Sequence, residues 1–234
     1  MTPHPSSDPH SPYATKKERP VVRSFRQKYL KNALAWVRAS GHAIVWESEK
    51  RATLVVPKPL TNTPGDYGKW AAYDLGRRLL RIAKVGPFRG FGVVSLKGDD
   101  LPIVESWTIR DAVHRGPTRT LHLDCVACGA CCKNNHVVLD AADMKRLRSG
   151  APRAFVDRVK RQDGRLVLTL LSDGRCAALS KQGMCKVYAY RPEACREFPS
   201  ATECCLFARE EALGIIDGAT AGPSLYGLSE HAEA

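Results

Sequence analysis

The sequence lacks a long apolar run. Although 44% of its 234 residues are hydrophobic, no stretch approaches the ~20 apolar residues that a membrane-spanning helix needs. Residues 1–17 are rich in Pro, Ser and His and contain no apolar core of a signal peptide. We therefore expect a folded protein of one or two domains, located in the cytoplasm and without a membrane partner.

A glycine-rich nucleotide loop is also missing. Gly86, Gly90 and Gly92 follow a predicted helix and precede a predicted strand, which is the reverse of the order in dinucleotide-binding and P-loop sites. We interpret these residues as turn glycines. Internal repeats are absent as well, so the sequence indicates neither a repeat protein nor a nucleotide-binding enzyme.

Positive charge is concentrated in the first half of the chain. The formal net charge is +12, with 21 Lys and Arg against 10 Asp and Glu in residues 1–120, but 15 against 14 in residues 121–234. Such asymmetry is typical of a surface for nucleic acid or another anionic partner. A solvated surface explains it equally well, because no recognition motif accompanies the charge.

The expected fold class is α+β. Residues 1–20, with five prolines, predict a disordered leader, and residues 21–118 predict a small basic α+β domain of two helices and two hairpins. Apolar spacing places the helices at Val21–Ser40 and from a cap at Asp66 to Lys84. The predicted hairpins pair Ala43–Trp46 with Thr53–Val56, and Phe91–Leu96 with Pro102–Ile109.

Nine cysteines dominate the second half of the chain. In a reducing compartment, clustered thiols bind metal or do redox chemistry more often than they form disulfides. Cys125, Cys128, Cys131 and Cys132 lie within eight residues, and a two-residue gap lets a tight turn direct two sulfurs at one metal. Gly129 permits the backbone conformation that such a turn often requires.

The adjacent pair in this run constrains the site. The side chains of Cys131 and Cys132 should diverge, so we expect that they serve two metals or that one of them is not a ligand. A single zinc ion held by this run alone is the least favoured of the metal sites.

Five further cysteines follow. Cys176 and Cys185 flank a turn with Gly183 and predict a small hairpin. Cys195 should lie in the first turn of a short helix between Pro192 and Pro199, where Arg191, Arg196 and the helix amides would stabilise its thiolate. The remaining cysteines are Cys204 and Cys205, and His122, Asp124 and His136 are weaker candidate ligands.

These motifs resemble the YkgJ-type cysteine-cluster family, which carries a CxxCxxCC signature and is described as zinc- or iron-chelating. The resemblance covers about residues 121–205. Besides the first four cysteines it includes a helix-like segment from Leu139 to Leu147, Cys176, Cys185, and the motif residues Tyr188, Arg191, Pro192, Cys195, Arg196, Phe198 and Pro199. It implies eight ligands: Cys125, Cys128, Cys131, Cys132, Cys176, Cys185, Cys195 and one of Cys204 or Cys205.

We therefore expect residues 119–210 to form a loop-rich, metal-stapled domain with short helices and a hairpin, followed by a tail at 211–234. Its cofactor would be zinc or iron, an iron-sulfur cluster included, since thiolates suit all three. Two alternatives remain open. One is a metal-dependent enzyme, because the cysteine signature is similar to that of flagellin lysine N-methylases. The other is a module for nucleic acid or an acidic partner.

Overall fold

The chain divides into two compact units. The computed structural model describes residues 10–58, 66–77 and 80–217. We call one part the cysteine unit, which comprises residues up to 17, 121–201 and 207–215. The other part is the sheet unit, which comprises residues 18–120, 202–206 and the chain from 216 onward. Within the described ranges, no helix has both the length and the apolar character needed to cross a bilayer.

The sheet unit contains a five-stranded sheet and three helices. In chain order the elements of the first half are β1 (Ala14–Pro20), β2 (Val22–Arg26), α1 (Leu30–Arg38), β3 (His42–Ser48), β4 (Arg51–Val56), α2 (Tyr67–Asp74), β5 (Arg81–Ile82), β6 (Gly92–Leu96), α3 (Asp100–Asp111) and β7 (Thr118–Asp124). The sheet order is β2-β3-β4-β6-β5, with β2 parallel to β3 and the other pairs antiparallel. Strands β1 and β7 form a separate two-stranded sheet.

Both faces of the five-stranded sheet bury apolar side chains. Ile44 and Leu54 point to one face and pack with Trp107 in a cluster that α2 and α3 complete. Val45 points to the other face and packs with Val37 of α1. Neighbouring side chains point to opposite faces because the side-chain period of a strand is two residues. Burial on both faces explains why the apolar runs of β3 and β4 are nearly continuous.

The first predicted helix is partly wrong. The helix α1 covers only Leu30–Arg38, whereas Val22–Arg26 form β2. Val22 and Phe25 pack into clusters on opposite faces of the sheet, which a helix cannot achieve with this spacing. Parallel pairing with β3 outweighs the helical pattern of the apolar residues.

The second predicted hairpin is also wrong, while the first is confirmed and extended in β3 and β4. Residues 100–111 form α3, and β6 pairs with β4 and β5 instead. The β-branched residues of this stretch favoured a strand. The helix instead buries Val104 and Trp107, spaced three apart, and tolerates Pro102 because proline fits a first helical turn.

Helix α2 is shorter than expected. Asp66 caps it as predicted by accepting a hydrogen bond from the Lys69 amide at 3.0 Å, but the helix ends at Asp74 and Gly76 follows with a φ of +70°. Arg77 donates from Nη1 to the carbonyl of Leu75 at the C-terminus of the helix and also pairs with Asp100 at 2.7 Å. Residues 78 and 79 of the predicted helix lie outside the described residues.

The expected leader is only partly described. Ala14–Pro20, which we expected to be disordered, form β1, and residues 1–9 lie outside the described residues. The proline-rich composition predicted disorder in this stretch. The strand is compatible with Pro20 because this residue stands at its last position, where a missing amide donor is tolerated. At the other end of the chain, 218–234 of the expected tail are likewise outside the described part.

The cysteine unit combines a small sheet with short helices. Its remaining elements are α4 (Cys125–Cys128), β8 (Val137–Leu139), α5 (Ala141–Gly150), α6 (Arg153–Val156), β9 (Val159–Gln162), β10 (Arg165–Leu168), α7 (Glu193–Arg196) and α8 (Glu203–Leu213), of which α8 begins in the sheet unit. The sheet order β8-β10-β9 is antiparallel. Its core includes Leu147, Phe155 and Leu168, with Cys176 and Cys185 packed at the edge.

A network of buried charges lies in the sheet unit. Glu203 accepts hydrogen bonds from Arg19, at 2.6 Å, and from Arg110, while Asp111 accepts from Arg19 at 3.3 Å and Arg119 at 3.0 Å. All five side chains are buried. Burial opposes ionisation of Glu203, but the Arg110 and Arg19 guanidinium groups outweigh it and hold its pKa well below the usual range.

Replacing one anion of this network should be costly. Glu203→Gln keeps the size of the side chain but removes the charge that Arg19 and Arg110 face, so we expect a loss of about 3–5 kcal/mol in the free energy of unfolding. Urea denaturation measures it. The matched control is Arg77→Gln, which breaks the partly exposed pair with Asp100 and should cost ~1 kcal/mol or less. Equal small losses in both variants would contradict this account.

His42 should make stability depend on pH. The side chain is buried, and burial lowers its pKa from 6.5 to about 4. The unfolded chain therefore binds the proton more tightly, so this stability is complete above pH 6.5 and is lost as pH falls through 4, by about 3 kcal/mol in total. Denaturation curves of wild type and His42→Leu across this range test the expectation. Parallel losses of stability in the two proteins would refute it.

Candidate metal centre

The first two cysteines stand at the ends of one helical turn. Asp124 caps α4 by accepting hydrogen bonds from the amides of Val126, at 2.8 Å, and Ala127, at 3.0 Å. Gly129 then adopts a left-handed conformation, with φ of +60°, and the chain enters a 3-10 turn. The glycine thus has the role that the sequence predicted for it. Asp124, which we weighed as a ligand, serves instead as the cap of this turn.

The adjacent cysteines share one turn. Cys131 and Cys132 both lie in the 3-10 turn over Ala130–Cys132. The Cys132 thiol and burial raise the pKa of Cys131. The two thiols are therefore close enough to interact electrostatically, while divergence of the two side chains stays a prediction.

Main-chain hydrogen bonds join the cysteine run to a remote segment. The amide of Cys176 donates to the carbonyl of Cys132 at 2.8 Å, and the amide of Asn134 donates to the carbonyl of Gly174 at 2.8 Å. Lys133 and Arg175 form an isolated bridge between these two contacts. The result is a short antiparallel ladder that brings Cys176 beside the first group of thiols.

A tight turn brings the next cysteine to the same place. Cys185 forms an isolated bridge with Leu179, and the amide of Lys186 donates to the carbonyl of Ala178 at 2.9 Å. The hairpin that we predicted between Cys176 and Cys185 is therefore present. Its tip at Gly183 packs directly against Gly129, so the two turns touch through residues without side chains.

Helix α5 positions the segment that carries Cys195. Asp143 accepts hydrogen bonds from the Glu193 amide and from Arg146, both at 2.8 Å, and Arg146 also donates to the carbonyl of Arg191 at 3.1 Å. Pro192 precedes α7, as predicted. Asp143 and Arg146 are functional supports that the sequence did not identify, although Asp143 lies within the recognised motif.

Arg191 stacks on an aromatic ring. Its guanidinium lies 3.5 Å from the centre of the Tyr188 ring, and its Nε donates to the Tyr188 carbonyl at 3.1 Å. The cation opposes the rise in pKa of Cys125, Cys131, Cys185 and Cys195. The spacing of Tyr188, Arg191 and Pro192 thus fixes one positive charge among these thiols. Arg196, at the end of α7, is exposed.

Burial keeps the thiols protonated. It raises the pKa of Cys195 to about 12, with further increases from Cys131, Cys176 and Cys185. The stabilised Cys195 thiolate that we expected is therefore wrong, because burial and the neighbouring thiols outweigh Arg191. Burial likewise raises the pKa values of Cys125, Cys176 and Cys185, and Cys131 raises each of them further. Cys131 is electrostatically linked to all the other members of this group.

The last two cysteines belong to the sheet unit. The amide of Cys204 donates to Asp74 at 3.0 Å, and its sulfur lies 3.0 Å from Thr202 Oγ1. Burial raises the pKa of Cys204 to about 12 and that of Asp74 to about 7. Cys205 raises the pKa of Tyr67, after burial. Participation of either cysteine as the eighth ligand stays a prediction.

The thiols as placed are not a finished coordination sphere. None of the nine cysteines forms a disulfide, and within residues 10–58, 66–77 and 80–217 no three His, Cys, Asp or Glu side chains are arranged to hold a metal. His122 and His136 are exposed. Soft sulfur donors nevertheless fit zinc or iron by their chemistry, so binding requires the side chains to rotate toward a common ion.

Two contacts between α8 and the cysteine run could not be predicted from the sequence. Arg209 of α8 donates from Nη1 to the sulfur of Cys128 at 3.2 Å, and Lys133 donates to the Ala212 carbonyl at 2.7 Å. Arg209 follows the cysteine run by 81 residues, so neither spacing nor motif could place it. Lys133 follows Cys132 directly, but its acceptor is a backbone carbonyl that sequence cannot identify.

The contact between the two turns gives a matched test. Gly129→Ala would place a methyl group against the Gly183 carbonyl and 2.7 Å from Leu179 Cδ1, at a positive φ. We expect it to cost more than 1 kcal/mol of stability and to lower metal content. Gly164→Ala is the control, since Gly164 has a φ of +76° but no neighbouring atom within 4 Å. Chemical denaturation and metal analysis compare them, and equal effects would rule out the turn contact as the cause.

Comparison with known proteins supports the sequence motif. No curated protein and no solved structure matches the chain. A family model does match, over residues 124–217, and its description is "CxxCxxCC: Putative zinc- or iron-chelating domain". The matched segment includes every cysteine of the chain. Residues 124–217 thus match the cysteine-cluster family that the CxxCxxCC motif resembles.

Proposed function

We propose that this protein holds zinc or iron through cysteine thiolates, as a YkgJ-like metal-binding protein. The seven cysteines of the cysteine unit are the primary ligands, namely Cys125, Cys128, Cys131, Cys132, Cys176, Cys185 and Cys195. Cys204 or Cys205 supplies an eighth. The observation that carries the proposal is that contacts bring cysteines from four separate segments together. Main-chain hydrogen bonds join the segments of Cys132, Cys176 and Cys185, and the side chains of Asp143 and Arg146 hold the segment of Cys195.

Local structure supports a common site. Three sets of hydrogen bonds hold residues at or beside a cysteine. They are the ladder at Cys132 and Cys176, the turn at Cys185 and the support of α7 by Asp143. The loops that carry these cysteines bury little apolar surface of their own, so metal-ligand energy can supply stability that apolar burial in these loops does not. We infer that metal binding stabilises the loops of the cysteine unit.

Proton displacement should accompany binding. Because burial raises the pKa of Cys195 to about 12, the free thiol is protonated at neutral pH, whereas the ligand is the thiolate. Bound zinc or iron supplies the positive charge that keeps such thiols deprotonated. Arg191 and Arg209 add two fixed cations beside them, which offset part of the negative charge of several thiolates.

The adjacent cysteines favour more than one metal ion. Seven or eight thiolates exceed the four that one tetrahedral zinc ion takes, and Cys131 and Cys132, adjacent in one turn, can serve neighbouring ions. A binuclear zinc site satisfies this count, whereas one iron-sulfur cluster takes four cysteines, so that iron-sulfur chemistry would need two clusters. We favour a composite centre of either kind over a single four-cysteine zinc site.

Metal analysis after anaerobic purification tests the proposal. Wild type should contain zinc or iron, and Cys131→Ser should lose at least half of it. Cys131 interacts electrostatically with most of the other thiols, namely Cys125, Cys132, Cys176, Cys185 and Cys195. Elemental analysis and the visible spectrum measure content and metal type. A folded, colourless, metal-free wild type with nine reactive thiols would contradict the proposal.

Cys204→Ser and Cys205→Ser are paired variants for the same experiment. If one of the two is a ligand, only that variant should lose metal, while the other keeps the wild-type content. Loss of metal in neither variant would limit the ligands to the cysteine unit.

Two other functions stay predictions from the sequence. For the methylase-like enzyme, Gly86 and Gly90 precede the strand β6 and Gly92 begins it, so these glycines do not form the strand-to-helix loop that binds phosphate. For nucleic acid or another anionic partner, the described residues add no observation beyond the positive charge of the first half. We therefore take neither further.

A further inference from the structure

The second half of α8 is fastened to the cysteine run at two points. Arg209 Nη1 donates to Cys128 Sγ at 3.2 Å, and Lys133 Nζ donates to the Ala212 carbonyl at 2.7 Å. Both contacts lie within the cysteine unit. The first ends on a sulfur, whereas the second ends on the backbone of the last helical turn. The two cations therefore do different chemistry on the same helix.

Arg209 is an unusual residue for its position. Only 1% of its surface is exposed, while Phe207 on the same helix is 61% exposed. Leu206 and Arg209 lie three residues apart, so they share a face of α8 that is buried. Hydrophobic burial alone would bury Phe207 and expose Arg209. The contacts of Arg209 therefore contribute to the orientation of α8.

The chemistry of the contact fits a charged sulfur. A guanidinium stays protonated under all ordinary conditions, and removing it from water is costly unless it faces negative charge. A hydrogen bond between a cation and an anion is about twice as strong as one between neutral groups. A metal-bound thiolate at Cys128 is therefore a stronger acceptor for the Nη1 donor than a neutral thiol is.

We propose that Arg209 is a positioning residue of the metal centre, which orients the Cys128 thiolate and neutralises part of its charge through a direct N–H···S hydrogen bond. This role rests on the proposed function. It deepens that function by naming the residue that positions one ligand, Cys128. A metal-bound thiolate sulfur keeps a lone pair that can accept the hydrogen bond.

The hydrogen bond should tune the metal as well as hold the ligand. Partners of this kind orient ligands, and their loss typically costs 10- to 100-fold in metal affinity. Donors to cysteine sulfur also withdraw electron density from it, which raises the energy of charge transfer from sulfur to metal and, for iron, the reduction potential. A helix fastener without contact to sulfur would change neither property.

The test compares Arg209→Gln with wild type in the full chain, loaded anaerobically with Zn²⁺ or Co²⁺. We expect Arg209→Gln to weaken zinc binding by about 10- to 100-fold in chelator competition and to shift the cobalt-thiolate charge-transfer band to lower energy. Arg209→Lys keeps the charge but loses the planar guanidinium. Its zinc affinity and band energy should therefore lie between those of wild type and Arg209→Gln. Lys133→Met is the matched control, since it removes the hydrogen bond to the Ala212 carbonyl of α8 and leaves the sulfur contact. The charge-transfer band of this variant should stay at the wild-type energy.

A double-mutant cycle separates direct from indirect effects. In a Cys128→Ser background, Arg209→Gln should produce no further band shift, and Arg209→Lys replaces it in the cycle if the glutamine variant does not fold. The inference is overturned if Arg209→Gln keeps wild-type affinity and band energy, or if its shift persists without Cys128. A wild type that binds no metal would instead overturn the proposed function, and the two failures are distinct.

Discussion

The cysteine unit depends on main-chain contacts between turns. The Cys176 amide donates to the Cys132 carbonyl at 2.8 Å, and the turn at Gly183 packs against Gly129, which has no side chain to separate them. Backbone contacts of this kind fix where a sulfur emerges but leave its side chain able to rotate. The site is therefore organised at the level of the backbone, and the metal completes it at the level of the side chains.

Buried arginines are a second recurring device. In the sheet unit, Arg19 and Arg110 face Glu203. In the cysteine unit, Arg209 faces the sulfur of Cys128. A buried guanidinium is tolerated only where an anion or a strong acceptor receives its hydrogen bonds. In the sheet unit that anion is a carboxylate, and in our account it is a metal-bound thiolate in the cysteine unit.

The sequence predicted those features that depend only on residues close together in the chain. Asp66 was identified as a helix cap, the pairing of β3 with β4 as a hairpin, and Gly129 as a turn residue, because each follows from neighbours in sequence. Predictions failed where distant pairing decided the outcome. Val22–Arg26 became a strand through pairing with β3, and residues 100–111 became a helix that covers the sheet.

The candidate site shows the same division. Spacing identified the cysteines and the segment from Tyr188 to Pro199, but it could not show that Cys131 interacts with thiols of other segments, nor that burial would raise the pKa of Cys195. Arg209 was out of reach, since 81 residues separate it from its partner. Distances of that kind are set by packing rather than by motif.

X-ray absorption at the metal edge of the anaerobically purified protein tests the central claim most directly. A centre held by the cysteine unit predicts a first shell of sulfur alone, at about 2.3 Å for zinc, with a metal-metal distance if the centre is composite. A first shell dominated by oxygen or nitrogen would contradict the account, because it would place the metal away from the thiols.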